Sequence, residues 1–429
     1  MFAENTSNSV RVWGVSFYYG WVIVSVCIIT MAIAYGVMYS FSVFFKPIVA
    51  YFNWDRATVA SIYSLAMVFR GAVSIGIGWL TDRYGPLKIS AFCGIMIGLG
   101  LVLASRVTHL WQFYICYGCI VATGLSGAYT IGSAVTARWF TRKRGMALGL
   151  VAAGSGMGTM TLVPVAELLI AKYNWSTAMA AFGFGAGFLI VSTAFLLKTG
   201  PQPQRAKELM HAPSVLPSTS DMTLRNAFLN KAMIILVVTF MLGNFFVQMV
   251  MIHLVNYATD IGISSLHAAG FVGLIGIVSV AGRLLMGGAS DKIGTYNSLV
   301  ICSVMALVGL IILFFNTSLI GFYVFVVIFG FAYGGEIPQM PMFVVHLFGM
   351  RAMAAMMGYL VFIGTLGGAL GPWVAGSVYD TTHNYRIAFA VAVAAGIVRL
   401  TLVIKSKRLL TEKQTNLNLS NWRKKSVTN

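Results

Sequence analysis

The chain has 429 residues, of which 58% are hydrophobic and only 9% are charged, and its formal net charge is +18. About a quarter of the residues of a soluble domain are charged, so this composition cannot cover a water-facing surface and excludes a soluble globular protein. We therefore predict an integral membrane protein.

Twelve apolar stretches follow one another along the chain, and each is long enough to cross about 30 Å of hydrocarbon as a helix. No ten-residue block alternates at period two, as the strands of a membrane barrel do. We therefore predict an all-α membrane protein with twelve transmembrane helices. The predicted spans are residues 18–42, 57–79, 88–105, 112–137, 146–170, 176–198, 231–257, 266–286, 296–316, 320–344, 353–376 and 386–404.

The basic residues lie mostly on one side of the predicted membrane. With twelve helices both termini share a side, and that side takes 21 of the 29 Lys and Arg residues, against 5 on the opposite side. This excess is the positive-inside signal. It predicts a multi-pass protein of the cell membrane (inner or plasma) with cytoplasmic termini. The basic tail is expected against lipid headgroups, and no nucleic-acid partner is expected.

Predicted helix 2 holds the first intramembrane charge, Arg70, in the segment "AMVFRGAVS". A charged side chain at a helix centre costs about 2.5–3.5 kcal/mol on insertion, so it faces a wet cavity or a partner. Arg70 therefore either lines a cavity or forms an inter-helix salt bridge or carbonyl cap. The sequence leaves both interpretations open.

The segment after helix 2, "GWLTDRYG", recurs after helix 8 as "GGASDKIG". Asp82 and Asp291 are expected to face a helix N-terminus or to pair with a basic group, while Arg83 and Lys292 stay on the cytoplasmic side. We interpret these four residues as a structural latch that breaks and re-forms during movement, without touching substrate.

The cysteines provide no catalytic or metal site. All five fall inside predicted helices, and "CYGC" at 116–119 has metal-ligand spacing but no second Cys or His pair, so packing explains it. No Gly-rich phosphate loop or catalytic triad spacing is present. We expect no enzyme activity, no metal and no cofactor.

A polar segment rich in Pro and Ser, residues 199–230, splits the helices six and six. The two repeated segments above, and "FTRKRGMALG" with its echo "GMRAMAAMMG", are each 209 residues apart. The repeat predicts two parallel six-helix halves related by an axis along the membrane normal. The predicted domains are an N-terminal half (1–198), a cytoplasmic loop (199–230), a C-terminal half (231–405) and a basic cytoplasmic tail (406–429).

These motifs carry a resemblance to a known family. "GWLTDRYGPLKI" resembles the signature loop of the major facilitator superfamily, which implies its two-half fold. Within that superfamily, "ARWFTRKRGMALGLVAAGSGMG" resembles the monocarboxylate transporters and the oxalate/formate antiporters, as do "GRLLMGGASDKIG" and "GMRAMAAMMGYLVFIGTLGGALGPWVAGSVYD". The resemblance covers the chain outside the 199–230 segment and the tail.

Arg283 in predicted helix 8 is the main candidate for substrate binding. A guanidinium presents a planar fork that holds a carboxylate by two parallel hydrogen bonds. From the residues alone, Arg283 either faces a central cavity or snorkels to the interface about one helical turn away. The resemblance favours the cavity, because in the family an arginine at this place in helix 8 contacts the substrate carboxylate.

The sequence also departs from the family. Many animal monocarboxylate transporters have an aspartate one turn before this arginine, where this chain has Ser279, and a helix 1 lysine, where it has Tyr39. The oxalate exchanger has a second cation in helix 11, where this chain has Gly364. One clear cavity cation favours a monoanion over a dianion, unless Arg70 supplies the second.

Two further residues are candidates for proton coupling. Glu336, in the middle of helix 10 before Pro338, is either a proton carrier or the partner of an arginine. His253, near the outer end of helix 7, is either a pH-sensitive gate or a packing residue.

Other polar side chains are predicted to line the substrate cavity. Phenol hydroxyls complete the hydrogen bonds of a carboxylate while the rings enclose its apolar tail. The resemblance implies this role for Tyr129, Tyr39 and Tyr333, and Asn244 in helix 7 is a further lining candidate, with interhelical hydrogen bonding as its alternative.

The sequence thus predicts a secondary active transporter of small organic anions working by alternating access. Monocarboxylates such as lactate or pyruvate are the leading substrate class, and coupling is either proton symport or anion exchange. The alternatives are an oxalate/formate-type dicarboxylate exchanger, which needs Arg70 beside Arg283, and more distantly a non-transporting anion sensor. The expected partners are the anion, lipids and, in symport, protons; a monomer is expected.

Overall fold

The structure, a computed structural model, describes residues 9–12, 15–140, 144–200, 231–348 and 353–427. A short antiparallel hairpin of β1 (Ser9–Val12) and β2 (Val15–Tyr18) precedes the first six helices. These are α1 (Gly20–Phe52), α2 (Arg56–Tyr84), α3 (Pro86–Ala104), α4 (Leu110–Trp139), α5 (Arg144–Lys172) and α6 (Trp175–Ala194).

The second six helices follow residue 230. They are α7 (Lys231–Asp260), α8 (Ser265–Ile293), α9 (Thr295–Phe315), α10 (Leu319–Glu336, resuming as Gln339–Phe348), α11 (Met353–Thr382) and α12 (Tyr385–Val427). Twelve of the described helices are long and apolar enough to span a membrane. The predicted all-α fold of twelve transmembrane helices is confirmed, and the protein is a multi-pass membrane protein. The predicted loop 199–230 lies almost wholly outside the described residues.

The repeated segments turn out to be helix ends. Asp82 and Arg83 lie in the last turn of α2, and α8 continues through Lys292 to Ile293. Each helix then ends at one glycine, Gly85 with φ 88° and Gly294 with φ 84°. Only glycine adopts such a conformation without strain. The two halves therefore turn in the same way at positions related by the sequence repeat.

Three helices differ from the regular helical spans that the sequence predicted for them. The first half of α4 is π-helical over Tyr114–Val121. Helix α10 is interrupted between Glu336 and Gln339, as Pro338 predicts, because proline removes a backbone donor. Helix α12 continues through the predicted tail to Val427, since no Gly or Pro follows Gly396 to end it.

The two halves meet along two long helix pairs. Helix α2 packs along α11, and α5 packs along α8. In the second pair the backbones touch, since a Cβ on Gly276 would lie 2.8 Å from the carbonyl oxygen of Gly156. Helix α1 also contacts α7 of the other half.

Among the described residues, hydrogen bonds join the two halves from the level of Arg283 towards one side of the molecule only. We name the membrane side that holds both chain ends the terminus side, and the other the far side. Within the described residues, every cross-half hydrogen bond lies between the level of Arg283 and the far side. The structure is therefore closed on the far side.

Candidate functional site

Arg283 of α8 reaches across to the N-terminal half. Its Nη1 donates a hydrogen bond to the carbonyl oxygen of Ala152 and another, 2.8 Å long, to Oγ of Ser155, both on α5. Arg283 lies ten residues before Ile293, about 15 Å from the helix end at 1.5 Å per residue. Both acceptors lie on α5, so in this structure the guanidinium turns to the opposite half rather than towards the end of its own helix.

The rest of the Arg283 guanidinium has no protein partner among the described residues. Its Nε is buried without a hydrogen bond, and none of the ion pairs in the described part of the chain includes Arg283. Nη1 is held by neutral acceptors of α5, so the edge formed by Nε and Nη2 stays available. This edge has the geometry that binds a carboxylate by two hydrogen bonds.

Arg283 borders a narrow space between the halves, which we name the central crevice. Its walls are Tyr39, Ser155, Gly156, Thr159, Met251, Gly276, Ser279, Arg283 and Tyr333. The hydroxyls of Tyr39 (α1) and Tyr333 (α10) lie 3.2 Å apart and hydrogen-bond across the halves. In this closed arrangement the crevice is too narrow for a water molecule. An anion therefore enters only when the halves separate slightly.

Two of the predicted cavity tyrosines are thus in the crevice wall, and the third lies nearby. Tyr129 of α4 is 55% exposed and is close enough to Tyr35 and Arg283 for electrostatic interaction. Asn244 is not brought to the crevice: it donates to the carbonyl of Phe240 in its own helix and lies against Gly364 of α11. Its alternative was interhelical hydrogen bonding, whereas the hydrogen bond that the structure describes lies within α7.

Arg70 is the middle residue of α2 and has no carboxylate partner in the described part of the chain. Its Nη1 lies 3.1 Å from the sulfur of Met38, and its guanidinium lies 5.9 Å from the ring centre of Tyr35. Its charge also interacts with Tyr39, which borders the central crevice. The predicted alternatives, a salt bridge or a carbonyl cap, are absent among the described contacts.

Glu336 is the partner of an arginine, Arg399 of α12. The carboxylate accepts a 2.5 Å hydrogen bond from Nη1 of Arg399, a side chain that is 1% exposed. Nε of Arg399 donates to the carbonyl of Thr239 on α7. Arg399 falls within the predicted span 386–404, and one acid and two arginines inside the predicted spans of this half are the sequence signal that points to such a pair. Proton coupling through Glu336 stays a prediction.

His253 is buried inside the C-terminal half. One ring nitrogen lies 3.0 Å from the hydroxyl of Tyr385, and the other lies 2.8 Å from the carbonyl oxygen of Pro372. Both nitrogens are therefore used within the protein. The predicted role as a pH-sensitive gate stays a prediction.

The predicted latch is described in part. Asp82, 65% exposed, pairs with Arg138 at the end of α4, which fits the expected basic partner. Arg83 lies 5.3 Å from the ring centre of Trp79, and Lys292 is exposed. The side chain of Asp291 lies outside the described residues.

Comparison with known proteins gives the family. The model of the Major Facilitator Superfamily matches residues 27–372 and 290–422. The chain belongs to the Major Facilitator Superfamily, the class that its two six-helix halves and the crevice between them already define.

Individual relatives agree with the predicted branch. The chain is 26% identical to monocarboxylate transporter 12 of Xenopus laevis over 86% of this chain and 85% of that protein. It is 27% identical to monocarboxylate transporter 13 of Bos taurus over 87% of this chain and 86% of that protein. The predicted resemblance to the monocarboxylate transporters is confirmed.

Solved structures share the fold at low identity. A bacterial homologue of the human lysosomal transporter Spinster, in an inward-facing and unoccupied conformation, has a TM-score of 0.73 at 14% identity, covering 92% of this chain and 98% of that one. A mutant of the nucleoside transporter NupG also has a TM-score of 0.73 at 13% identity, covering 90% of this chain and 99% of that one. These structures support the fold alone.

Proposed function

We propose that this transporter carries small organic anions by alternating access. The leading substrate class is monocarboxylates such as lactate or pyruvate. The observation that carries the proposal is the free Nε–Nη2 edge of Arg283 between the two halves. The names of the relatives support the substrate class.

An unpaired intramembrane cation is costly unless something compensates it. The carbonyl of Ala152 and the hydroxyl of Ser155 are neutral, so they orient the guanidinium without cancelling its charge. A substrate carboxylate would supply the missing charge through hydrogen bonds that are about twice as strong as neutral ones. Tyr39 and Tyr333 would then turn their hydroxyls from each other to the bound anion.

A dicarboxylate is the second candidate substrate class, and Arg70 is the observation that favours it. Arg70 has no acidic partner among the described side chains, and Tyr39 lies between it and the central crevice. Two guanidinium groups on opposite halves would suit an anion with two carboxylates.

Coupling is either proton symport or anion exchange. If Glu336 carries the proton, Glu336→Gln loses accumulation driven by a pH gradient but retains anion exchange. Unchanged accumulation would remove Glu336 from this role, and its pairing with Arg399 would then be structural.

We further propose a cell-membrane location with both termini cytoplasmic, because 21 of the 29 Lys and Arg residues lie on the terminus side. The proposed working unit is a monomer, since the crevice lies within a single chain. In this orientation the structure is closed to the outside.

Uptake of labelled anions into proteoliposomes tests the function. The panel contains acetate, lactate, pyruvate, oxalate and succinate, each with and without an imposed pH gradient. Protein-free liposomes and liposomes with Arg283→Lys are the controls. Saturable uptake of monocarboxylates that depends on Arg283 is the expected result. A preference for oxalate or succinate that depends on Arg70 would support the second candidate, and binding without flux would leave only the anion sensor.

A further inference from the structure

The far side of the molecule carries a dense set of charged contacts between the two halves. We name this set the far-side lock, and it consists of Lys46, Arg56, Asp260, Asp380 and Tyr385. Lys46 and Arg56 belong to the N-terminal half, and the other three belong to the C-terminal half.

Arg56, the first residue of α2, is the centre of the far-side lock. Its guanidinium donates two hydrogen bonds to the carboxylate of Asp260, at 2.8 and 3.3 Å, and one of 2.7 Å to the hydroxyl of Tyr385. It also stacks on the ring of Tyr379, 3.6 Å from the ring centre. The side chains of Arg56 and Asp260 are 11% and 21% exposed, so water screens this pair only in part.

Asp380 of α11 caps α2 of the other half. Its two carboxylate oxygens accept hydrogen bonds from the backbone N–H groups of Arg56 and Ala57, at 2.9 and 2.7 Å. The first N–H groups of a helix have no partner within the helix, and a carboxylate is favoured at this positive end. The residue just before α2, Asp55, makes no such cap. Helix α2 is therefore completed by the opposite half.

Lys46 of α1 adds a second cation to the same acid. Its Nζ lies 2.6 Å from Asp260 and 2.8 Å from the hydroxyl of Thr259. Asp260 thus ties both α1 and α2 to the end of α7. The far-side lock therefore ties α1 and α2 of one half to α7, α11 and α12 of the other half.

We propose that the far-side lock holds the transporter closed on the far side and that its rupture controls far-side opening. The basic members lie on one half and the acidic members on the other, so one neutral substitution at Asp260 removes two ion pairs. This proposal concerns conformation and stands independently of the identity of the transported anion.

Accessibility of a buried interface residue tests the proposal. Met67 of α2 is 2% exposed and lies against Gly368 of α11, so Met67→Cys, in a chain whose five native cysteines are replaced, reports far-side separation of the halves. The measurement is the rate of maleimide labelling of the full-length protein in detergent. Because it needs no substrate, a failure here is distinguishable from a failure of the proposed function.

Asp260→Asn and Arg56→Gln are each expected to raise the labelling rate about tenfold, which corresponds to about 1.4 kcal/mol, since each removes hydrogen bonds between charged groups. The double variant is expected to give less than the product of the two single effects, because both substitutions remove the shared contact of Arg56 with Asp260. Arg106→Gln is the matched control: it deletes an exposed far-side cation that forms no cross-half contact within the described residues.

An unchanged rate in Asp260→Asn and Arg56→Gln, or an equal rise in Arg106→Gln, would overturn the proposal. If the two central variants do not fold, Lys46→Gln decides the question. The side chain of Lys46 is 39% exposed, and its substitution removes only one ion pair. A rise of about two- to fivefold, corresponding to an exposed pair, is then expected, and an unchanged rate would again reject the far-side lock.

Discussion

Arg283 and Arg399 lie in the same half of the transporter, and both are surrounded by apolar helices, yet their partners differ. Arg399 is 1% exposed, and its charge is balanced by the carboxylate of Glu336. Among the described residues, Arg283 is held only by a carbonyl and a hydroxyl of the opposite half. Both residues leave one guanidinium nitrogen buried without a partner.

This difference in partners distinguishes Arg399, a structural cation, from Arg283, a cation that is available to a ligand. The pair of Arg399 and Glu336 joins α10 and α12 within one half, so it stays intact when the halves move. Arg283 lies where the halves meet and has a charge that the described residues do not neutralise. In the proposed function, a substrate anion supplies this missing counter-charge.

The largest expected effect is on stability, from Glu336→Gln. This change leaves Arg399 buried without a counter-charge, and breaking a buried pair by removing one partner costs about 3–5 kcal/mol. The thermal unfolding midpoint in detergent is expected to fall clearly. The matched control is the double variant Glu336→Gln/Arg399→Gln, which is expected to regain much of the loss. Equal midpoints for the single variant and the wild type would contradict the structural role.

Arg283→Lys is expected to have the next largest effect, and to act on transport rather than on folding. An ammonium group keeps the charge but cannot form the two parallel hydrogen bonds of a guanidinium. Loss of such bonds is worth about 1.5–3 kcal/mol, or about 10- to 100-fold in anion affinity. Uptake kinetics measure the loss, with Arg106→Lys as the control and size-exclusion chromatography as the test of folding. Near-normal uptake would refute the assignment of Arg283.

Ser155→Ala is expected to have a moderate effect, because the carbonyl of Ala152 still holds Nη1 of Arg283. The loss of one hydrogen bond is worth about 0.5–1.5 kcal/mol, so KM should rise about three- to tenfold. The maximal rate should change little, and Ser155→Thr should restore KM because it keeps the hydroxyl. A fall in the maximal rate with unchanged KM would show that Ser155 does not position Arg283.

The smallest expected effect is at the exposed pair of Asp82 and Arg138. Surface ion pairs contribute about 0.2–1 kcal/mol, so Asp82→Asn should barely lower the unfolding midpoint. High salt should remove even this difference, because it screens exposed charges. A loss as large as that of Glu336→Gln would show that this pair is more than a surface contact.

The sequence predicted the twelve spans and the two-half fold, because these depend on local composition and on a fixed repeat distance along the chain. It did not predict which groups would meet across the halves. Arg56 and Asp260 are 204 residues apart, and nothing local to either residue indicates the other. The N-terminal hairpin was also missed, since each of its two strands is only four residues long.

The partner of Glu336 was open for a similar reason. An arginine partner was one of two predicted interpretations, but Arg399 is 63 residues away on another helix. Asn244 was placed in the cavity because helix α7 shows polar residues one turn apart, and only the packing of α7 against α11 fixes which helix it faces. Pairing between distant helices is a property of the assembled bundle rather than of any one segment.

The backbone contact between Gly156 and Gly276 has a mechanical consequence for the pair α5 and α8. Side chains that interlock must change rotamers before two helices can move past each other, whereas surfaces without side chains slide with little reorganisation. Glycines at this crossing, next to Ser155 and within two turns of Arg283, therefore let α5 and α8 slide past each other directly beside Arg283. A small shift there changes the width of the crevice without disturbing the interior of either half.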